Sequence, residues 1–370
     1  MKNSDDVRAD SLEILIGQAR QGAISRRHFL GALAALGIAA GTPAHARAKR
    51  LVIADWGGAT DEAFMSAWGR PYQDAHGVDV VSDVTGPSIG RIKAMVESRA
   101  VTWDLCDSNA GESEYLGENK LVEEVDYSIV NPANVFPDAK FRWGVSSYYF
   151  SYVLAYDTEK VKAPESWADF WNLKDFPGKR ALRKNVTGMC ECAMLADGVA
   201  PDKVYEVLSS PGGIERAMEK FREIRDHVIF WNSGAQSADL LRNHEVVMAN
   251  IWSTRASTLK RDSAGKITWT WNGGLLVPSV WVVPRGNPAG PKAAFEFANY
   301  ALTPENQIAL LKATGNGPSN PAAAPMVPDD LKFYDPSQPE HRKVQIPLST
   351  AWYAKFQDRA RDQYLEMQSA

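Results

Sequence analysis

The chain has 370 residues, 45% of them hydrophobic, and a formal net charge of −4. That length and apolar share support a sizeable core, in one large domain or two lobes. No basic patch or stripe marks a nucleic-acid partner, and none is expected.

The first element is a targeting segment. Ser25-Arg26-Arg27-His28-Phe29-Leu30 is a twin-arginine signature followed by an apolar run from Phe29 to Ala40. The run is about a dozen residues, too short for a bilayer span of roughly 20. Ala44-His45-Ala46 and Ala46-Arg47-Ala48 then offer small-x-small cleavage sites. The segment 1–48 therefore reads as a twin-arginine signal peptide, an address and not an anchor. The mature chain is expected to begin near Arg47 or Lys49, in a bacterial periplasm.

Beyond the leader, "RLVIADW" (Arg50–Trp56) predicts a buried strand closed by Gly57-Gly58. "TDEAFMSAWGRPYQDAHG" predicts a helix with Thr60 as cap and Asp61 and Glu62 in its first turn. "VDVVSDV", "GPSIGRIKAMVESRA" and "WDLCDS" add strand, helix and strand. This alternation predicts a parallel sheet with helices on both faces and ligands at the carboxyl ends of strands. Those ends are Trp56-Gly57-Gly58, Thr85-Gly86-Pro87-Ser88 and Ser108-Asn109-Ala110-Gly111.

"SSYYFSYVLAYD" (Ser146–Asp157) is a long aromatic strand, and "PESWADFW" starts a helix capped by Ser166. "PGKRALRKN" is a turn and strand, "MCECAMLA" an apolar helix, and Gly212–Val228 an amphipathic one. Trp231-Asn232-Ser233-Gly234-Ala235-Gln236 opens a helix, and Trp252-Ser253-Thr254-Arg255 ends a strand. "GGLLVPSVWVVPRG" (Gly273–Gly286) is a second long apolar strand; two helices and a Gly/Asn/Pro/Ser loop follow it. Long strands near residues 150 and 280 bracket the middle, which fits two lobes joined by two crossings.

Catalytic signatures are missing: no G-x-S-x-G elbow, Walker loop, G-x-G-x-x-G after a strand, or H-E-x-x-H. His76, His227, His244 and His341 are isolated. Cys106, Cys190 and Cys192 make no disulfide framework, and Cys190-Glu191-Cys192 lacks a second ligand pair at zinc spacing. No cofactor or metal is expected. A periplasmic enzyme without a recognised motif remains the alternative to a binding protein. The Tyr148/Tyr149 pair is a faint candidate for a metal-ion binder. Tryptophans beside turn residues, with Ser, Asn, Gln and Arg nearby, provide walls and hydrogen-bonding groups for a small molecule.

The stretches "LVIADWGG", "WDLCDSNAGESEYLGENKLVEEVDYSIVNP", "APESWADFWNLKDFPGKRAL", "GAQSADLLRNHEVVMANIW" and "NYALTPENQIALLKATGNGPSNPAA" occur in order over essentially the whole mature chain. Together they resemble the periplasmic solute-binding proteins of ABC importers, of the spermidine/putrescine type. The resemblance implies an α/β, two-lobed periplasmic binding protein fold of type II, with a ligand cleft between lobes joined by crossing strands. Its expected division is 49–149 plus 282–322 for lobe 1, 150–281 for lobe 2, and a C-terminal helical segment, 323–370, packing on the lobes. It implies no catalysis. A monomer is expected to hand its small-molecule ligand to a permease and ATPase in the inner membrane.

Polyamine binders hold ammonium groups with carboxylates and aromatic faces. Where the family carries those acids, this chain has Arg183-Lys184-Asn185-Val186-Thr187-Gly188 and Val277-Pro278-Ser279. Asn316 replaces an expected aromatic, and Asn109 and Gly111 replace Ser and Tyr; Trp56 and Trp252 match. Simple polyamines are therefore expected to bind weakly. The expected ligand-binding residues are Trp56, Gly57, Ser88, Asn109, Arg183, Thr187, Trp231, Gln236, Trp252, Arg255, Ser279 and Asn316. Arginine favours a carboxylate, whereas Asp55, Asp107 and Glu112 near strand ends suit an amine. An amino-acid-like or opine-like zwitterion would use both signs.

Overall fold

A computed structural model describes residues 50–57 and 59–369. The leader expected at 1–48 lies outside them. Nine strands form one sheet: β1 (Arg50–Ala54), β2 (Asp79–Asp83), β3 (Leu105–Asn109), β4 (Val145–Asp157), β5 (Arg180–Arg183), β6 (Val228–Trp231), β7 (Met248–Trp252), β8 (Ile267–Val282) and β9 (Ile346–Pro347). The order is β2-β1-β3-β8-β4-β7-β5-β6, with β9 beside β8.

The two flanks are parallel, β2-β1-β3 on one side and β7-β5-β6 on the other. The centre departs from the all-parallel expectation. There β3 pairs β8, β8 pairs β4, and β4 pairs β7, all antiparallel. The cause is the path of the chain: β4 carries it out of the first flank and β8 brings it back, so the two crossings run in opposite directions.

The start of β8 also differs from expectation. Gly273-Gly274 reads as a boundary, yet the strand runs from Ile267, and "ITWTW" buries Ile267, Trp269 and Trp271 on alternate positions. The glycines form an irregularity inside the strand. Gly273 takes φ +69°, and a β-carbon there would lie 2.9 Å from the Trp167 ring. Glycine inside a strand commonly marks such a bulge or close approach.

Helices follow from local chemistry. The helix Ala59–Phe64 begins one residue before its expected Thr60 cap and continues through a π turn, Met65–Gly69, into Arg70–His76. Gly77 ends it at φ +64°. Ser166 and Asp169 form a capping box for Trp167–Trp171; this satisfies two helix-start donors.

The core divides around the crossings. On one side Trp68, Leu105, Trp281 and Phe297 are buried together. On the other, Trp167, Phe170, Met189, Phe221 and Tyr364 form a second cluster. Phe150, in the middle of β4, is half-buried and packs against both. The helix Thr350–Ser369 buries Trp352, Tyr353, Ala360, Tyr364 and Met367 on the second side.

Candidate functional site

Three adjacent parallel strands end together on the second flank. β5 ends in Arg183, β6 in Trp231 and β7 in Trp252. Carboxyl ends of parallel strands are where open α/β sheets hold ligands. The Arg183 guanidinium carbon lies 5.2 Å from the Trp252 ring centroid, 5.7 Å from Tyr152 and 5.8 Å from Trp231. It also donates a hydrogen bond to the Tyr152 hydroxyl. Rings at such distances hold a guanidinium by cation–π attraction.

Trp231 is fully buried, and its indole N–H donates to the Asn250 carbonyl at 2.9 Å. It therefore backs Trp252, at 5.5 Å between centroids, and does not itself face a solute. It ends β6, and the stretch it begins opens the expected helix at Gly234, capped by Ser233.

Arg255 stands in the first turn of the helix Ser253–Asp262. Its Nε is buried with no hydrogen-bond partner, as is Trp252 Nε1. Burial pushes the Arg255 pKa down, since a low-dielectric site disfavours the charge. Gly234 makes this packing possible: a β-carbon there would sit 2.8 Å from both Arg255 Nε and the Trp252 ring. Thr187, half-buried, lies in the segment leaving β5, and its N–H donates to Asn185 Oδ1 at 2.9 Å. Gln236 is exposed, and its Oε1 accepts from the Asn232 N–H at 2.8 Å, so it braces its own loop.

The first flank carries the opposite charge. Trp56, just past β1, is 64% exposed. Gly86 (φ +80°) lies beneath it, 3.2 Å being the distance from a β-carbon there to the Trp56 ring. The Gly57 N–H donates to Asp55 Oδ1 at 2.6 Å. Ser88 and Asn109 cap helices, accepting from the N–H groups of Arg91 at 3.3 Å and Glu112 at 2.9 Å. Asn109 also pairs across the sheet with Ser279, whose hydroxyl donates to Asp107 Oδ1 at 2.9 Å. Tyr148 lies within hydrogen-bonding reach of Ser279 and Asp107. Burial drives Asp107 up to about 7, and burial with Asp61 and Asp83 nearby drives Asp55 to about 6. Asn316 is buried with its Oδ1 unpartnered.

Seven of the twelve expected residues gather into two groups. Arg183, Trp252 and Arg255 cluster on one flank; Trp56, Gly57, Asn109 and Ser279 collect around Asp55 and Asp107 on the other. The crossings join them: Tyr148 of the acidic group and Tyr152 of the basic group are four residues apart on β4, roughly 13 Å along the strand. Tyr152 and Phe150 are missing from the expected set. The period-2 pattern Tyr148, Phe150, Tyr152 is the signal that places all three on one face of the strand.

Among the described residues no group of His, Cys, Asp and Glu is arranged to hold a metal ion. Cys190 and Cys192 are buried, with burial raising both thiol pKa values. Among the described residues no helix is long and apolar enough to cross a membrane.

Residues 67–335 match the family described as bacterial extracellular solute-binding protein. The chain belongs to that family. This solute-binding protein is 32% identical over 314 residues to the gamma-aminobutyric acid-binding protein of Pseudomonas aeruginosa, covering 84% of this chain and 89% of that one. A solved GABA-receptor structure shares 30% identity and a TM-score of 0.78, over 86% of this chain and 97% of that one. A periplasmic binding protein of A. tumefaciens in complex with glucopine gives 30% and 0.78, over 86% and 99%. A spermidine/putrescine-binding protein of Streptococcus pneumoniae is a more distant neighbour, at 17% identity and a TM-score of 0.69, a likeness of fold alone. The solute-binding protein is therefore a two-lobed, exported substrate-binding component of an ABC transporter and not an enzyme. The narrower polyamine-type expectation is not carried by these relatives.

Proposed function

We propose that this solute-binding protein captures a small zwitterion, an amino-carboxylate of the γ-aminobutyrate kind, and delivers it to an ABC permease and ATPase. The observation that carries this is the pair Arg183 and Arg255. Both are half-buried, and neither meets a carboxylate among the described residues. A guanidinium removed from water needs a counter-charge, and a carboxylate accepts its fork bidentately. The opposite group, Asp55 and Asp107 beneath Trp56 and Tyr148, suits the ammonium end. Residues 49–149 with 282–322 form one lobe, 150–281 the other, and 323–370 packs on them. Closure brings the two charged groups onto one solute, as in hinge-bending binding proteins generally. The twin-arginine leader exports the chain to the periplasm, where it acts as a monomer.

Calorimetry on the mature chain with γ-aminobutyrate, glucopine, butyrate and putrescine tests the reading. Binding of an amino-carboxylate, with butyrate and putrescine at least about tenfold weaker, is the expected result. Micromolar putrescine binding with no response to any carboxylate overturns it.

A further inference from the structure

The helix Thr350–Ser369 reaches past its own core to the segment that carries the basic group. The Tyr364 hydroxyl donates to the Arg183 carbonyl at 2.8 Å, and Gln368 Nε2 donates to the Lys184 carbonyl at 2.9 Å. At the other end of the segment, the Gly188 N–H donates to the Tyr353 hydroxyl oxygen at 2.8 Å. Tyr353 in turn donates to the Glu191 carboxylate at 2.8 Å. Glu191 is fully buried and also accepts from Tyr205 at 2.9 Å; Tyr205 accepts the Ser349 N–H at the start of the same helix, also at 2.9 Å. One carboxylate thus ties the start of the helix and the end of the segment together through two phenols.

Between these fixed ends the segment has one side chain in the core, Val186, and few hydrogen bonds of its own. Lys184 N–H donates to the Trp231 carbonyl, Thr187 N–H to Asn185 Oδ1, and Lys184 and Asn185 are exposed. Gly188 turns at φ +84°, against Tyr152 and Leu275. The helix also packs on Ala110–Glu118, the helix capped by Asn109.

We infer that the C-terminal helix is the positioning element of the ligand-binding segment Arg183–Gly188, with Tyr364, Gln368 and the Tyr353–Glu191 pair as positioning residues. They touch no solute. They fix the backbone from which the Arg183 guanidinium and Thr187 project, and so set the geometry in which a carboxylate is met. The inference rests on the proposed reading that Arg183 and Thr187 meet the ligand.

The test uses the full mature chain with Tyr364→Phe, Tyr353→Phe and Gln368→Ala. Amide hydrogen exchange without ligand is read together with calorimetry using γ-aminobutyrate as probe. Exchange at residues 184–189 is expected to rise about tenfold, and the dissociation constant about 3- to 10-fold per variant, the scale of one lost hydrogen bond. Exchange elsewhere should move little. Faster exchange spread evenly over the second lobe, or a lower melting temperature with 184–189 unchanged, would mean a merely structural helix and overturns the inference. Failure of the unaltered chain to bind γ-aminobutyrate counts against the proposed ligand, while exchange at 184–189 still decides the role of the helix. Gln368→Ala, at the half-buried end of the helix, guards against loss of folding in the tyrosine variants.

Discussion

Arg183 is held by aromatic faces and one phenol, and it meets no carboxylate among the described residues. Lysine keeps the charge but not the planar pair of donors. Arg183→Lys is therefore expected to weaken γ-aminobutyrate at least tenfold in calorimetry, and Arg255→Ala to do the same. Asp107 makes a separate prediction. An unfolded aspartate titrates near about 4, whereas the folded chain holds the Asp107 proton up to about 7. The folded state binds more protons across that window, so stability is greatest below about pH 4 for this group and is lost as pH rises through 7. Thermal unfolding of the ligand-free chain between pH 5 and 8 should show the falling trend, and Asp107→Asn should flatten it. Ligand binding runs the other way, because an ionised Asp107 attracts an ammonium: affinity for γ-aminobutyrate should strengthen from pH 5.5 to 8 in the unaltered chain.

Whole elements carry the site through their ends. β5 and β6 end on the register pair Arg183 and Trp231, β7 ends nearby, and their last residues supply one guanidinium and two indoles. β8 depends on its internal irregularity. Gly273→Ala places a β-carbon 2.9 Å from the Trp167 ring in a conformation that L side chains rarely adopt. Loss of more than about 1 kcal/mol in urea denaturation is the expected cost. Ser166→Ala removes one half of a capping box and should cost about 1 kcal/mol in the same assay.

At the scale of the molecule the decisive feature is that two antiparallel crossings, β4 and β8, stand between two parallel flanks. Each flank has its own core, and Phe150 touches both. On the proposed reading, a ligand at the crossings bridges groups of opposite charge, which couples binding to closure. Small-angle scattering should show a smaller radius of gyration with saturating γ-aminobutyrate, and the exposed Trp56 indole should shift its fluorescence to the blue. An unchanged radius at full occupancy would rule out closure as the response.

The strand–helix alternation of the first flank, the Ser166 cap and the strand ends near Asn109 and Trp252 were legible in the sequence, whereas β6, read as the end of the helix Gly212–Val228, and β9 were not. Apolar runs, turn residues and capping side chains are local signals, and local energetics places them. The absence of the carboxylates expected of a polyamine binder is also visible without coordinates, and it leaves weak polyamine binding as an expectation. It did not show that Trp231 is buried behind Trp252, that Gln236 braces its own loop, or that the flanks meet through antiparallel strands. Those depend on which faces pack together, and burial is a property of partners distant in the chain. Tyr152 beneath Arg183, Ser279 on Asp107, and Tyr364 on the Arg183 carbonyl join residues 31, 172 and 181 positions apart. Only the tertiary structure decided these pairings, since each joins groups on different elements that meet only when those elements pack.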